Sequence, residues 1–404
     1  MVKPGYKQTD LGLLPEEWAC REIGSFADVC MCKRIFAEQT SEMGEIPFYK
    51  IGTFGKKADA YISRPLFEEY KQKYSYPQKG DVLISAAGTL GRTVVYDGEE
   101  AYFQDSNIVW LDIDKSQISN DYLYHYYKVI KWTPSEGSTI ARLYNGIITS
   151  TNVAVPPKPE QEAIAEALSD IDTLIVNMEK LIEKKKAIKQ GAMQELLTGK
   201  RRLPGVDGEW KTVRLGDHCT VLRGGSPRPI QAYLTSSPHG ANWIKIGDVR
   251  EGDKYITSTA ERIIEAGIGR SREVFAGDFI LSNSMSFGRP YILKINGCIH
   301  DGWLVIQNYQ ESFDQQYLYY VLGSDFVKAQ YIAMAAGSSV QNLNKDKVSN
   351  VTLYKPDIEE QQSIAAILSD MDEEISEYEK QLSKYIGIKQ GMMSELLTGR
   401  IRLV

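Results

Sequence analysis

The segment Glu160–Leu203, EQEAIAEALSDIDTLIVNMEKLIEKKKAIKQGAMQELLTGKRRL, recurs without a gap as Glu360–Leu403, EQQSIAAILSDMDEEISEYEKQLSKYIGIKQGMMSELLTGRIRL. About half of the aligned positions are identical, which marks a duplication rather than a shared composition. In the first copy Ile164, Leu168, Ile171, Ile175, Met178 and Ile182 follow a 4-3 spacing; Ile364, Leu368, Met371, Ile375, Tyr378, Leu382 and Tyr385 do so in the second. Such spacing describes a coiled-coil seam or, because it covers only about three heptads, a plain amphipathic helix packed on a globular core. Pro159 and Pro356 lie just upstream, and Gly199 and Gly399 of the paired Leu-Leu-Thr-Gly motifs suit a helix end. Each helix is therefore expected to run for about 38 residues, roughly 57 Å at 1.5 Å per residue, the length of a spacer. Gly191 and Gly391 interrupt good helix formers at the same place in both copies, marking either a close crossing of backbones or a local kink.

Outward from the repeat, a weaker correspondence keeps its order. Phe48-Tyr49-Lys50-Ile51-Gly52 matches Trp243-Ile244-Lys245-Ile246-Gly247, and Gly80-Asp81-Val82-Leu83-Ile84-Ser85 matches Gly277-Asp278-Phe279-Ile280-Leu281-Ser282. Tyr122-Leu123-Tyr124 matches Tyr317-Leu318-Tyr319, and Gly137-Ser138-Thr139 matches Gly337-Ser338-Ser339. The layout is a globular domain, a long helix, a second and divergent globular domain, and the helix again. Packing the two seams antiparallel returns the chain end to the first domain. The stretch Leu14-Pro15-Glu16-Glu17-Trp18 has the character of Pro204-Gly205-Val206-Asp207-Gly208-Glu209-Trp210, which follows the first helix. Residues near 1 to 18 are thus expected to dock where residue 404 finishes, giving an approximate two-fold axis through the helix pair.

The chain has 404 residues, 43% hydrophobic and 25% charged, an ordinary globular balance that allows two or three domains. No apolar run reaches the roughly 18 residues of a membrane helix, and Met1–Lys7 carries no apolar signal, so a cytoplasmic protein is expected. The five cysteines are scattered and read as reduced and structural. The net charge of −6 makes the whole-molecule field mildly repulsive to nucleic acid, so binding would need local basic surfaces.

Constellations for catalysis are missing from the sequence. Gly52-Thr53-Phe54-Gly55-Lys56 has the wrong spacing for a phosphate loop and no Ser or Thr after the lysine. Val155-Pro156-Pro157-Lys158 lacks the leading Asn or Asp and the aromatic of a base-methylating motif. Asp59 followed by Glu69-Tyr70-Lys71 has a nuclease-like order, or equally that of a solvated charged face. The four histidines, His125, His218, His239 and His300, give no second pair at zinc-site spacing, and no metal site is expected.

Recognition is the remaining signal. In each half a strand, a small-residue loop and a second strand place Ser85, Thr89 and Arg92, or Asn283, Ser286 and Arg289, where close backbone approach and short polar side chains suit nucleic acid. An ordinary glycine-rich turn has the same composition. Other candidate contacts are Lys33, Arg34, Lys56 and Lys57, then Arg223, Arg228, Arg270 and Arg272, whose alternative role is solubility. Lys50 and Lys245 occupy matching places in apolar strands and either snorkel or point to a ligand. The Tyr-rich runs Tyr122–Trp132 and Tyr317–Phe326 suggest short helices with core aromatics.

Two divergent domains alternating with two copies of a long helix, preceded by Val155-Pro156-Pro157-Lys158-Pro159-Glu160-Gln161 or Lys355-Pro356-Asp357-Ile358-Glu359-Glu360-Gln361 and closed by Leu-Leu-Thr-Gly, resemble the specificity subunit of type I restriction-modification enzymes. The resemblance implies an α+β protein: target recognition domains over 1–158 and 201–357, spacer helices over 159–200 and 358–404, and a coiled-coil pair with internal pseudo-two-fold symmetry. It implies that each domain reads one half of an asymmetric bipartite sequence in double-stranded DNA, and that the chain is not itself an enzyme. It further implies that the helix pair docks two modification subunits carrying S-adenosylmethionine, while restriction subunits bring ATP and Mg. Partner docking falls on Ile164, Leu168, Leu196 and Leu197 and their counterparts Ile364, Leu368, Leu396 and Leu397. Two alternatives remain at this point: a coiled-coil adaptor without DNA readout, and a self-sufficient methyltransferase or nuclease.

Overall fold

A computed structural model of the chain describes residues 4–133, 142–206, 208–250, 252–283, 288–335 and 343–403. Packing groups them into two compact units: residues 1–179 with 381–404, and residues 180–380. This grouping cuts across the linear division into domains and helices, because each half-helix belongs to the domain it packs against.

In the first unit the central sheet has the antiparallel order Ala27–Cys30, Ile108–Ile113, Val82–Ser85, Thr93–Val95. The run Val82–Ser85 is wholly buried because both faces of the sheet are covered. Val82, Ile84, Val109 and Leu111 enter one core, while Leu83, Ile108 and Trp110 enter the other. That alternation is the period-two pleat. A three-stranded sheet, Tyr61–Ile62, Ile46–Tyr49 and Tyr102–Phe103, covers the second face. On the first face lie the helix Asn120–Tyr126 and segments of both long helices.

The second unit keeps this framework and enlarges it. Its central sheet runs Thr220–Arg223, Trp303–Gln307, Phe279–Ser282, Pro290–Leu293, Tyr255–Ile256, and a second five-stranded sheet includes Ala241–Ile244 and Gly297–Ile299. Phe279 and Leu281 face the core that holds the long helices, and Ile280 faces the opposite core. The Tyr-rich run forms the helix Gln315–Leu322, with Tyr317 and Tyr320 buried.

The long helices span Lys158–Leu196 and Ile358–Leu396, 39 residues each. Glu160-Gln161 and Glu360-Gln361 are buried at their starts. Gln161 accepts from the Ser119 N–H and donates to the Gln117 and Pro156 carbonyls; Gln361 accepts from the Asp314 N–H and donates to the Ser312 and Pro356 carbonyls. Beyond the C-terminal ends Gly199 and Gly399 are left-handed, at φ 70° and 67°, and a Cβ on Gly399 would lie 2.5 Å from Pro15 Cδ. Glycine is required there by conformation and by space. At Gly191 and Gly391 a Cβ would meet nothing within 4 Å, and the helices continue through both, so a close backbone crossing is ruled out at these positions.

The apolar stripe reaches further than its hydrophobic letters suggest. After Ile182 it passes through Lys185 and Lys189, which pair with Glu374 and Asp372 within the second unit. Lys389 pairs with Asp172 within the first. Lys189 and Lys389 are the same position of the repeat, as are Asp372 and Asp172.

The chain end is tied down in the first unit. The Tyr6 hydroxyl donates to the Gly399 carbonyl at 3.0 Å, and Arg402 pairs with Glu17 at 2.7 Å and with Glu160 at 2.5 Å. The expected docking of the first residues on the last ones is therefore present through Arg402; residue 404 itself lies outside the described residues.

Asp172 also lies 4.0 Å from the buried ring of His125, whose Nε2 meets the Ser169 hydroxyl at 3.1 Å. Burial, aided by Lys128 and Lys389 and opposed by Asp172, lowers the His125 pKa to about 4. A base whose folded pKa lies below its unfolded value near 6.5 stabilises the fold fully above that value and loses the contribution as pH falls towards the folded pKa. The first unit is expected to lose about 2 kcal/mol between pH 7 and pH 5 from this group. Urea midpoints at the two pH values check it, and His125→Gln should flatten the difference. The matching residue of the second unit, Tyr320, donates to Asp372 at 2.7 Å and brings no titration in that range.

Candidate nucleic-acid interface

At one end of the first unit's central sheet, four loops are tied together by side-chain hydrogen bonds and one ion pair. Ser85 is fully buried. Its hydroxyl donates to the Thr89 carbonyl and accepts from the Arg92 N–H, which closes the loop between the two strands. Gly88 and Gly91 are left-handed, and a Cβ at Gly91 would lie 2.3 Å from Trp132, so the tight turn requires glycine. The Arg92 guanidinium donates to the Ile51 carbonyl at 3.0 Å and stacks over Phe54. The Ile51 N–H in turn donates to Gln104 at 2.9 Å. Arg34 reaches across to Asp105 at 2.8 Å. The loops after Cys30, Tyr49, Ser85 and Phe103 thus form one surface.

These contacts correct the reading of Ser85 and Arg92 as outward groups: Ser85 closes its own turn and the Arg92 side chain ties that turn to the Ile51 loop, because buried polar atoms have to be satisfied internally. Thr89 is exposed at the tip. Lys56 and Lys57 are exposed without an ion-pair partner among the described residues, and Lys33 is exposed over the Tyr74 ring. Lys50 lies one residue past the strand Ile46–Tyr49 rather than within it, half-buried, and pairs with Asp59 at 2.9 Å. Asp59 is therefore not gathered with Glu69, which pairs with Lys73 on its own helix. The nuclease-like order of these residues does not form a cluster.

In the second unit five loops meet around His300-Asp301. Asp301 accepts from the Ser226 hydroxyl at 2.9 Å and pairs with Arg228 at 3.4 Å; its carbonyl accepts from Asn283 and from Arg223. Burial opposes the charge on Asp301, but the Ser226 bond, His300 and Arg228 outweigh it and lower the pKa. Arg272 donates to the Arg223 carbonyl, and Arg270 is exposed over the Tyr233 ring. Gly224 packs so close that a Cβ would stand 2.1 Å from the His300 carbonyl oxygen. Lys245 follows its strand, as Lys50 does, and pairs with Glu261 at 2.6 Å. Asn283 is buried, Arg289 is half-buried over the Tyr291 ring, and Ser286 lies outside the described residues.

A cleft of about 650 Å³ opens beside these loops, lined by Arg228, Trp243, Lys245, Glu261, His300 and Asp301. The first unit has a cleft of about 680 Å³ over Tyr49, Phe54 and Phe103, rimmed by Glu45, Asp97, Glu99 and Glu100 and by Lys56. Four carboxylates against one lysine make this rim net negative, which disfavours a phosphate backbone there.

Sequence reasoning collected cations and passed over Asp105 and Asp301. The signal was present, since Gln104-Asp105-Ser106-Asn107 and His300-Asp301-Gly302 both stand immediately before the last central strand. The eight helix residues assigned to partner docking need a larger correction. Ile164, Leu168, Leu396 and Leu397 lie in the first unit's core, and Leu196, Leu197, Ile364 and Leu368 in the second's, none more than 5% exposed. Their apolar surface is already covered by this chain.

Comparison with known proteins agrees with this architecture. The family model described as the type I restriction modification DNA specificity domain matches residues 15–190 and again 207–386. The chain belongs to the type I restriction-modification DNA specificity family. A type I restriction enzyme specificity subunit of Haemophilus influenzae is 60% identical over 153 residues, spanning 38% of this chain and 40% of that protein. The type I restriction enzyme MjaVIII specificity subunit of Methanocaldococcus jannaschii is 23% identical over 96% of this chain and 94% of its own length. Among solved structures, the type I restriction-modification S subunit of M. genitalium aligns with a TM-score of 0.58 at 16% identity, over 94% of this chain and 96% of that one. A chain from a study of complex assembly in a type I restriction-modification system aligns with a TM-score of 0.60 at 15% identity, over 96% and 99%. These likenesses extend to the fold as a whole. Among the described residues no helix is long and apolar enough to cross a membrane.

Proposed function

We propose that this chain is the non-catalytic DNA-reading subunit of a cytoplasmic type I restriction-modification complex, each unit reading one half of an asymmetric bipartite target. The observation that carries this reading is the repeated framework with unlike loop faces: the matching strands end in the Arg34, Lys56 and Thr89 loops in one unit and in the Arg228, Lys245 and Asn283 loops in the other. Loops on a rigid sheet are where recognition varies without cost to the core.

The two long helices act as an antiparallel coiled-coil spacer. Supporting this, residue numbers rise along one helix as they fall along the other within each unit: Glu160 with Arg402 and Asp172 with Lys389, then Lys189 with Asp372 and Arg202 with Glu360. Two modification subunits carrying S-adenosylmethionine dock on the outward helix faces, since the inward ones are covered. In the first unit Leu174, Val176, Ile386 and Ile388 are each exposed by 39% or more. Restriction subunits, with ATP and Mg, join that assembly.

Methylation mapping in cells carrying this chain with its neighbouring subunits tests the reading. The expected result is two unrelated half-sites at a constant interval within about 17 base pairs, the most a rod of roughly 57 Å spans at 3.4 Å rise. A palindromic target would overturn the assignment of one half to each unit.

A further inference from the structure

Two ion pairs occupy the same place in the two units although the loops around them differ. Arg34 follows the strand Ala27–Cys30, and Asp105 precedes the neighbouring strand Ile108–Ile113. Arg228 follows the strand Thr220–Arg223, and Asp301 precedes its neighbour Trp303–Gln307. In each pair the arginine is far more exposed than the carboxylate: 61% against 15% for Arg34 and Asp105, 81% against 29% for Arg228 and Asp301.

Stability gives little reason for such pairs, because an exposed arginine–carboxylate contact contributes about 0 to 1 kcal/mol. Capture of phosphate gives a reason against them, since a carboxylate beside the cation cancels the charge that attracts the backbone. Orientation is what the Arg34–Asp105 pair supplies. Asp105 takes the Nε edge of Arg34 at 2.8 Å, leaving both terminal nitrogens without a partner among the described residues. Asp105 is itself contacted by the Ser106 hydroxyl at 3.3 Å, and Asp301 by Ser226 and by His300 Nε2, each at 2.9 Å. Arg34, held by its Nε edge, presents two parallel N–H groups, the pattern that matches O6 and N7 of guanine in the major groove, whereas Asp301 takes the terminal Nη2 of Arg228 at 3.4 Å and so occupies one of those two groups.

We propose that Arg34 reads a guanine in one half of the target, and that Asp105 is a positioning residue that also weakens capture of non-specific DNA. This rests on the DNA-reading function proposed above. Lys33, Lys56, Lys57 and Arg270, which lack a carboxylate partner among the described residues, remain for the phosphate backbone.

The experiment uses the full chain assembled with its modification subunits, the duplex that the wild-type complex methylates, every single base-pair variant of that duplex, and a random duplex. Arg34→Ala and Arg34→Lys are expected to lose discrimination at one G·C pair by about 10- to 100-fold while the other positions keep theirs. Asp105→Asn is expected to bind the random duplex about threefold or more tightly, and its ratio of specific to random binding should fall about tenfold. A purely structural pair would instead weaken target and random duplex together, and that result, or an unchanged ratio in Asp105→Asn, overturns the inference while leaving the DNA-reading function intact. A wild-type complex with no sequence preference overturns both.

Discussion

Replacing Arg402 with alanine is expected to destabilise the first unit by about 3 kcal/mol or more. Glu160 is 2% exposed and its carboxylate has three donors: Trp18 Nε1 at 2.9 Å, Arg402 Nε at 2.5 Å and Arg402 Nη2 at 2.8 Å. Two of these vanish with the arginine, leaving a buried charge with one neutral donor. Removing one partner of a buried pair is much more costly than the pair's own net contribution, because the remaining ion keeps its desolvation penalty. The second unit repeats the arrangement, with Trp210 Nε1 at 2.8 Å and Arg202 at 2.8 and 3.0 Å from Glu360. Arg202→Ala should therefore weaken the second unit to a similar extent. Chemical unfolding followed by tryptophan fluorescence distinguishes the two, since each variant should shift a different transition. A shift below about 1 kcal/mol in both would mean that the carboxylates are solvated despite their burial.

The same latch shows how far the sequence could be read. The duplication marked both long helices, which span Lys158–Leu196 and Ile358–Leu396, and Arg402 meets Glu17 beside Trp18. Glu160 and Arg402 were both inside the quoted repeat, yet their partnership was not legible, because they are 242 residues apart and nothing local distinguishes a buried glutamate from a solvated one. Lys185 and Lys189 were hidden for a related reason. A lysine within the stripe breaks the apolar pattern on paper, while in three dimensions its ammonium reaches Glu374 or Asp372. The loop faces were legible as composition but not as geometry. Ser85 and Arg92 have the same letters whether they point to a ligand or close a turn, and only the Ile51 carbonyl and the Thr89 carbonyl decide between those roles.

If the helices set the distance between half-sites, lengthening both by one heptad should change which DNA is methylated without changing the bases recognised. Seven residues add about 10.5 Å, close to three base pairs at 3.4 Å rise. Seven is the required number because it returns the apolar stripe to the same face, so that Ile182 and Ile375 keep their inward positions. The doubly extended chain is expected to lose about 1,000-fold or more in preference for the original target, the scale that separates specific from non-specific binding. It should instead methylate the same two half-sites at an interval about three base pairs longer. Extending only one helix is the informative control. If the pairs of one unit hold, those of the other move out of register by two turns, separating either Lys389 from Asp172 or Lys189 from Asp372. That variant should lose stability and gain no new target. Methylation mapping with both variants separates a rod that measures from a tether that merely connects, because a flexible connection of either length would leave the preferred interval where it was.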